Sequence, residues 1–111
     1  MEINELIKDA HENAVKHGFW DYYNNINVGM VEIKKAFITQ FLALIICETT
    51  EAIEGLRKND NDNFKEELAD IAIRLADLCG GLNIDLESEI QLKMQINSNR
   101  PYKHGKEFWY G

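Results

Sequence analysis

Residues 41–51 read FLALIICETTE, seven apolar residues followed by two acids three positions apart. They lie in the middle of a predicted long helix at about residues 31–58. A helix that is apolar on every face has no side for solvent and must be covered by more than one neighbour. In a chain of 111 residues, a second subunit is one candidate for such a neighbour. These residues therefore predict a long helix that is covered by other helices of the same chain or by a second subunit.

Three further helices are predicted around this one. Apolar periodicity places the first at about residues 4–17, the third at about 64–79 and the fourth at about 86–97. Gly18 and the pair Gly80-Gly81 are predicted to end the first and third helices, because glycine is common just past a helix end. Asp85 is predicted to cap the fourth helix.

The segments between these helices are polar or aromatic. Residues 59–63 form a polar turn in which Asp62 or Asn63 is predicted to cap the third helix, with Glu66 completing a capping box for Asn63. A loop at residues 19–29 is rich in asparagine and aromatic side chains. Since no strand pattern competes, the sequence predicts a single all-α domain over 1–111, with an ordered bundle at about 4–97 and an extended basic tail at 98–111.

Composition excludes several classes of protein. The formal net charge is −7, whereas a protein that binds a nucleic-acid polymer needs a basic surface. The two cysteines have no zinc-ligand spacing and are predicted to be reduced. No secretory signal opens the chain, and the apolar run at 41–47 is shorter than the ~20 residues that span a bilayer. We therefore expect a cytoplasmic protein with no membrane partner.

Two acidic pairs, Glu48/Glu51 and Glu67/Asp70, are the candidate metal ligands. Residues three apart share a helix face, so two packed helices would bring all four acids together. Similar pairs occur elsewhere in the chain, but these two have apolar neighbours, which makes four like charges costly without a cation. No Glu-x-x-His motif accompanies them, as a di-iron bundle would require. Oxygen ligands favour Mg²⁺ or Mn²⁺. The alternative is an ion pair, which Arg74 would form with Asp70.

A basic stretch and an aromatic cluster complete the candidate residues. Lys93, Arg100 and the basic residues of 103–106 form either a frayed tail or a phosphate-binding group. The aromatic cluster at 19–23 either covers an edge of the core or stacks on a nucleobase. His17 and Trp20 are the candidate base contacts.

These motifs resemble one protein family. Glu48-Thr-Thr-Glu51, then 15 residues, then Glu67-Leu-Ala-Asp70 is similar to the ExxE…ExxD signature of the MazG-like all-α nucleoside triphosphate pyrophosphohydrolases. Lys93, Asn97 and the run Arg100-Pro101-Tyr102 resemble the downstream element of that family, and the run at 17–20, HGFW, resembles the end of its first helix. The similarity covers roughly residues 11–106.

The resemblance implies a four-helix MazG-like bundle assembled as a dimer or a dimer of dimers. It implies hydrolysis of a nucleoside or deoxynucleoside triphosphate to the monophosphate and pyrophosphate. Glu48, Glu51, Glu67 and Asp70 would bind Mg²⁺, and Glu48 or Glu51 would activate water. Lys93, Asn97 and Arg100 would contact phosphates, within one chain or across a subunit boundary. Two alternatives stay open: a non-catalytic helical dimer that binds a nucleotide or a partner helix, and a purely structural dimer.

Overall fold

The computed structural model describes residues 1–26 and 30–101, and within these ranges its regular structure is entirely helical. Five helices follow one another: α1 (Ile3–Lys16), α2 (Asp21–Asn24), α3 (Val31–Arg57), α4 (Asn61–Gly81) and α5 (Leu86–Ser98). The all-α prediction is confirmed. Helix α2 is a single turn inside the segment that was predicted as a loop. Residues 102–111, most of the predicted basic tail, lie outside the described residues.

Helix α1 ends at Gly18, as predicted. Gly18 has a φ of +84°, a left-handed conformation that favours glycine because it has no Cβ. The N–H of Gly18 donates to the carbonyl of Val15, and the N–H of Phe19 donates to that of Ala14. These two bonds close the helix end and turn the chain back, so that Trp20 packs into the core beside Ala14.

Helix α4 begins earlier than predicted, at Asn61. The cap is Asp60, whose carboxylate accepts a hydrogen bond of 3.1 Å from the N–H of Asn63; the prediction of Asp62 or Asn63 was wrong. The N–H of Asp60 also donates to the carbonyl of Gly55 and thereby closes α3. One residue thus ends one helix and caps the next, which makes the connection very short.

The pair Gly80-Gly81 does not end α4, contrary to prediction. The helix continues to Gly81, and Asn83, with a φ of +56°, takes the left-handed position that ends it. Both glycines are needed for close approach. A Cβ on Gly80 would overlap His11, and a Cβ on Gly81 would overlap the ring of Trp20. Their role is therefore to let α1 and the segment after it lie against α4.

Helix α4 is central, since it packs against α3 on one side and α1 on the other. Helix α5 makes its main contacts with α1, where Asn4 Nδ2 donates to Glu87 Oε2 at 3.5 Å. The predicted cap of α5 is confirmed, because the Asp85 carboxylate accepts hydrogen bonds from the N–H and hydroxyl of Ser88. Among the described residues, α4 therefore contacts both α3 and α1, and α5 lies beside α1.

Trp20 is the centre of the core and has no exposed surface. Its ring stacks on Phe41 with ring centres 4.4 Å apart and meets Tyr23 edge-on at 5.2 Å. The indole N–H donates to Asp77 Oδ1 at 2.7 Å, and His11 Nδ1 lies 3.0 Å from the same oxygen. The buried carboxylate thus ties α1 and Trp20 to α4, and the stacking of Trp20 on Phe41 adds α3.

Much of the apolar surface of the helices is uncovered in the single chain. On α3, the buried residues are Ala52 and Gly55. Exposed large apolar side chains include Leu42, Leu44, Ile46, Ile53 and Leu56 of α3, Leu68, Ile73 and Leu75 of α4, and Leu92, Met94 and Ile96 of α5. By length and composition alone, α3 is also the one helix in the described ranges that is apolar enough to cross a membrane.

Candidate metal centre

The short turn between α3 and α4 places the acidic pairs opposite each other. Near the turn, a Cβ on Gly55 would lie 3.2 Å from the backbone nitrogen of Phe64, so the two helices are in close contact there. Glu51 and Glu48 lie one and two helical turns back from Gly55, while Glu67 and Asp70 lie one and two turns on from Phe64. The antiparallel hairpin therefore brings both pairs to the same level.

Glu48, Glu67 and Asp70 form a compact cluster. Each offers a carboxylate oxygen, and these oxygens lie within 4.8 Å of one another. The ligands of an octahedral Mg²⁺ ion, each about 2.1 Å from the metal, are about 3 to 4 Å apart. Small side-chain movements would therefore let the three oxygens share one cation.

Glu67 is the member of the cluster that most needs a cation. Its side chain is buried, and no hydrogen-bond donor in the described part of the chain reaches Oε2. Buried polar atoms in proteins nearly always have a partner, and a carboxylate without one is strongly unfavourable. The groups beside Glu67 are themselves carboxylates, so a proton or a metal ion is needed to make the arrangement stable.

The pKa values of the cluster show the same conflict. Hydrogen bonding with Glu48, followed by burial and the nearby Glu51, raises the pKa of Glu67 to about 8. The pKa of Glu48 is lowered, first by the hydrogen bond with Glu67 and then by Arg74. One proton shared by two carboxylates is the physical cause. Glu51, although exposed, is thus close enough to act on Glu67.

Arg74 pairs with the cluster, but not in the way that the sequence predicted. Its Nε donates to Glu48 Oε1 at 3.1 Å, across the α3–α4 contact, and not to Asp70 on its own helix. Glu48 is the more enclosed of the two acids, and an ion pair is stronger where water is excluded. The ion-pair alternative therefore accounts for Glu48 and leaves Glu67 Oε2 without a donor in the part of the chain that the structure describes.

Two adjoining cavities open beside the cluster. The first, of about 230 Å³, is lined by residues that include Glu48, Asp70, Arg74 and Asp77. The second, of about 330 Å³, is lined mainly by apolar side chains, Phe19, Phe37, Phe41 and Leu44, together with Gln40, Arg74 and Asp77. Phe19, Arg74 and Asp77 line both, so the two cavities are neighbours. A cavity with charged side chains thus lies next to a largely apolar one.

Several predicted site residues are not found at this place. Lys93, Asn97 and Arg100 are exposed on or just after α5, and neither cavity is lined by a residue of α5. His17 is exposed at the end of α1, where its Nδ1 lies 2.7 Å from the carbonyl of Asn13. Trp20 is fully enclosed, so in this structure it is a core residue with no face for a base.

The three residues that line both cavities, Phe19, Arg74 and Asp77, are not among the site residues predicted from the sequence. Phe19 belongs to the predicted aromatic cluster and is 68% exposed; its place after the turn at Gly18 separates it from the buried Trp20. Arg74 was considered only as a partner for Asp70. Asp77 lies two turns beyond Asp70 on α4, and this spacing alone does not indicate a site residue.

Comparisons of the chain with family models, curated proteins and solved structures return no match.

Proposed function

We propose that this chain is a Mg²⁺-dependent nucleoside triphosphate pyrophosphohydrolase of the MazG-like type, with Mn²⁺ as a substitute ion. The observation that carries the proposal is the buried oxygen of Glu67, which has no donor among residues 1–26 and 30–101 and lies among three other acids. A purely structural carboxylate would have a donor, as Asp77 has. The resemblance of the acidic motifs to that family adds the reaction type.

The cavities support a nucleotide as substrate. A triphosphate needs cations, which the metal centre and Arg74 supply on the side of the first cavity. A base needs a largely apolar space with a few polar groups, which the second cavity supplies. Phe19, with its exposed ring at the junction, is better placed than His17 or Trp20 to stack on a base.

The chemistry would be divided among the acids. When bound, Mg²⁺ neutralises phosphate charge and stabilises the leaving pyrophosphate. Glu48, Glu67 and Asp70 hold it, and Glu51, exposed one turn from Glu48, is placed to orient or deprotonate the attacking water. The reaction depends on positioning and charge and requires no cysteine or serine nucleophile. The products are the nucleoside monophosphate and pyrophosphate.

The assembly is proposed to be a dimer or a dimer of dimers in the cytoplasm. Uncovered apolar side chains on α3, α4 and α5 support a second copy as the cover. A bilayer is a poorer cover for α3, because Glu48 and Glu51 lie within this helix and charges in lipid are expensive. A second copy would also bring a second α5, with Lys93, Asn97 and Arg100, which one chain does not place beside its own acids.

The test is a panel of ribonucleoside and deoxyribonucleoside triphosphates incubated with the protein and Mg²⁺, followed by separation of the products. Formation of monophosphate and pyrophosphate that stops on addition of EDTA is expected. Absence of turnover for every nucleotide at micromolar protein would overturn the proposal.

The second candidate is a non-catalytic helical dimer that binds a nucleotide or a partner helix. The exposed apolar surface of α3 favours it. Thermal stabilisation by a nucleotide and Mg²⁺ without any cleavage would be the result expected of such a protein, and it separates the two candidates in one experiment.

A further inference from the structure

Arg74 joins the acidic cluster to the cavities. Its Nε donates to Glu48 Oε1 at 3.1 Å, and its side chain is 40% exposed whereas that of Glu48 is 12% exposed. It lines both cavities beside the cluster. The guanidinium is thus held by an acid on one side and borders open space on the other.

The ion pair with Glu48 uses a small part of the hydrogen-bonding capacity of Arg74. A guanidinium has five N–H donors in a planar fork that suits phosphate oxygens. Across residues 1–26 and 30–101, Glu48 is the one side chain to which Arg74 donates, and it does so through Nε. The terminal N–H groups, which form the fork, are not used in that bond.

Glu48 has two competing partners, because the same carboxylate belongs to the proposed metal cluster. A divalent cation held by Glu48, Glu67 and Asp70 would weaken the attraction between Glu48 and Arg74, since the carboxylate charge is then shared. Once that attraction is weakened, the guanidinium is available to an anion in the adjoining cavity, which Arg74 lines. A phosphate there would receive the fork that Glu48 leaves unused.

We propose that Arg74 is an exchangeable counter-ion: it pairs with Glu48 when the acidic cluster holds no metal ion, and it binds a phosphate oxygen of the substrate when Glu48 binds the metal. This inference rests on the proposed function. It assigns to a residue of α4 the phosphate contact that the sequence assigned to α5. Arg74 then competes with the metal for Glu48 and cooperates with the metal in holding a triphosphate.

The two roles predict opposite effects of one substitution. Arg74→Gln removes the competitor, so Mn²⁺ alone, followed by electron paramagnetic resonance, should bind about 5-fold more tightly or better. The same variant should bind inorganic triphosphate at saturating Mn²⁺ about 10-fold more weakly or worse. Arg74→Lys keeps the charge without the fork, so it should change Mn²⁺ affinity little and still weaken triphosphate binding. A merely structural role would not strengthen either affinity.

Arg57→Gln is the matched control, since Arg57 also pairs with a glutamate of α3, Glu54, at 2.6 Å but lies at the helix end. It should change neither affinity. Unchanged or weaker Mn²⁺ binding by a folded Arg74→Gln protein, or unchanged triphosphate binding by both Arg74 variants, would overturn the inference while leaving the metal centre intact. If the unmodified protein binds no Mn²⁺, the proposed function and this inference fail together. Should Arg74→Gln not fold, Arg74→Lys still decides the phosphate contact.

Discussion

The two sides of α4 each contain a buried carboxylate, and they differ in how its charge is balanced. On the side of α1, Asp77 accepts a hydrogen bond from the Trp20 indole and lies 3.0 Å from His11 Nδ1. On the side of α3, Glu67 faces Glu48 and Glu51, and its Oε2 has no donor in the described part of the chain. Burial is similar on both sides, so the difference lies in the partners. The α1 side is complete in itself, whereas the α3 side requires something that the described residues do not supply.

The largest expected effect concerns catalysis at Glu67. Glu67→Gln removes a charged ligand from the centre of the cluster, so metal-dependent hydrolysis should fall by about 100-fold or more. Steady-state rates with the nucleotide that turns over best would measure this. Glu66→Gln is the matched control, because Glu66 is the neighbouring acid but is exposed. Equal losses of activity in the two variants would mean that the acidic cluster acts through its net charge and not as a metal centre.

The next effect concerns stability on the opposite side. Asp77→Ala leaves the buried Trp20 indole N–H without an acceptor, and unfolding in urea should show a loss of about 3 kcal/mol. Asp77→Asn keeps an acceptor oxygen and should lose clearly less. If both substitutions were harmless, Asp77 would not be the tie between α1 and α4, and the contrast with Glu67 would disappear.

A smaller loss is expected at Gly81. A methyl group there would overlap the Trp20 ring, and overpacking of this kind costs about 2 kcal/mol. Gly81→Ala should therefore destabilise the protein in urea unfolding. A smaller ring should relieve the overlap, so the loss should shrink when Gly81→Ala is made together with Trp20→Phe. The same loss in both backgrounds would place the strain elsewhere.

The next prediction concerns the pH dependence that Glu67 gives to the metal-free protein. Its pKa is raised from 4.5 to about 8, so the folded state holds a proton that the unfolded state has released. The stability from this proton is full below about pH 4.5 and is lost as the pH rises through about 8. With EDTA present, the melting temperature of the unmodified protein should therefore decline over this range relative to that of Glu67→Gln. Parallel curves for the two proteins would contradict the raised pKa of Glu67.

Saturating Mg²⁺ should reduce this decline of the melting temperature with rising pH. Metal binding must displace the proton from Glu67, so Mg²⁺ affinity is expected to rise with pH up to about 8. Calorimetric titrations in buffers of different ionisation enthalpy would detect the released proton. Binding without proton release at neutral pH would show that the metal does not use Glu67.

Local features of the fold were predictable from the sequence. The end of α1 at Gly18 and the cap of α5 at Asp85 depend on neighbouring residues alone, and both predictions are confirmed. The start and end of α4 were not predictable in this way. Its cap, Asp60, also closes α3, and its final glycines continue the helix because they face His11 and Trp20. In both cases another helix decides what the local residues do.

For the candidate site, the sequence by itself determined which acids share a face, because a spacing of three residues on a helix is a local property. Only the tertiary structure decided which acid lacks a donor, since that depends on the groups that the α3–α4 hairpin places around each oxygen. The tertiary structure also pairs Arg74 with Glu48, where the sequence predicted Asp70. It places Trp20 in the core beside Phe41, where the sequence predicted a contact with a base. Hydrogen bonds and burial are set by neighbours that are distant in sequence, and helical periodicity carries no information about them.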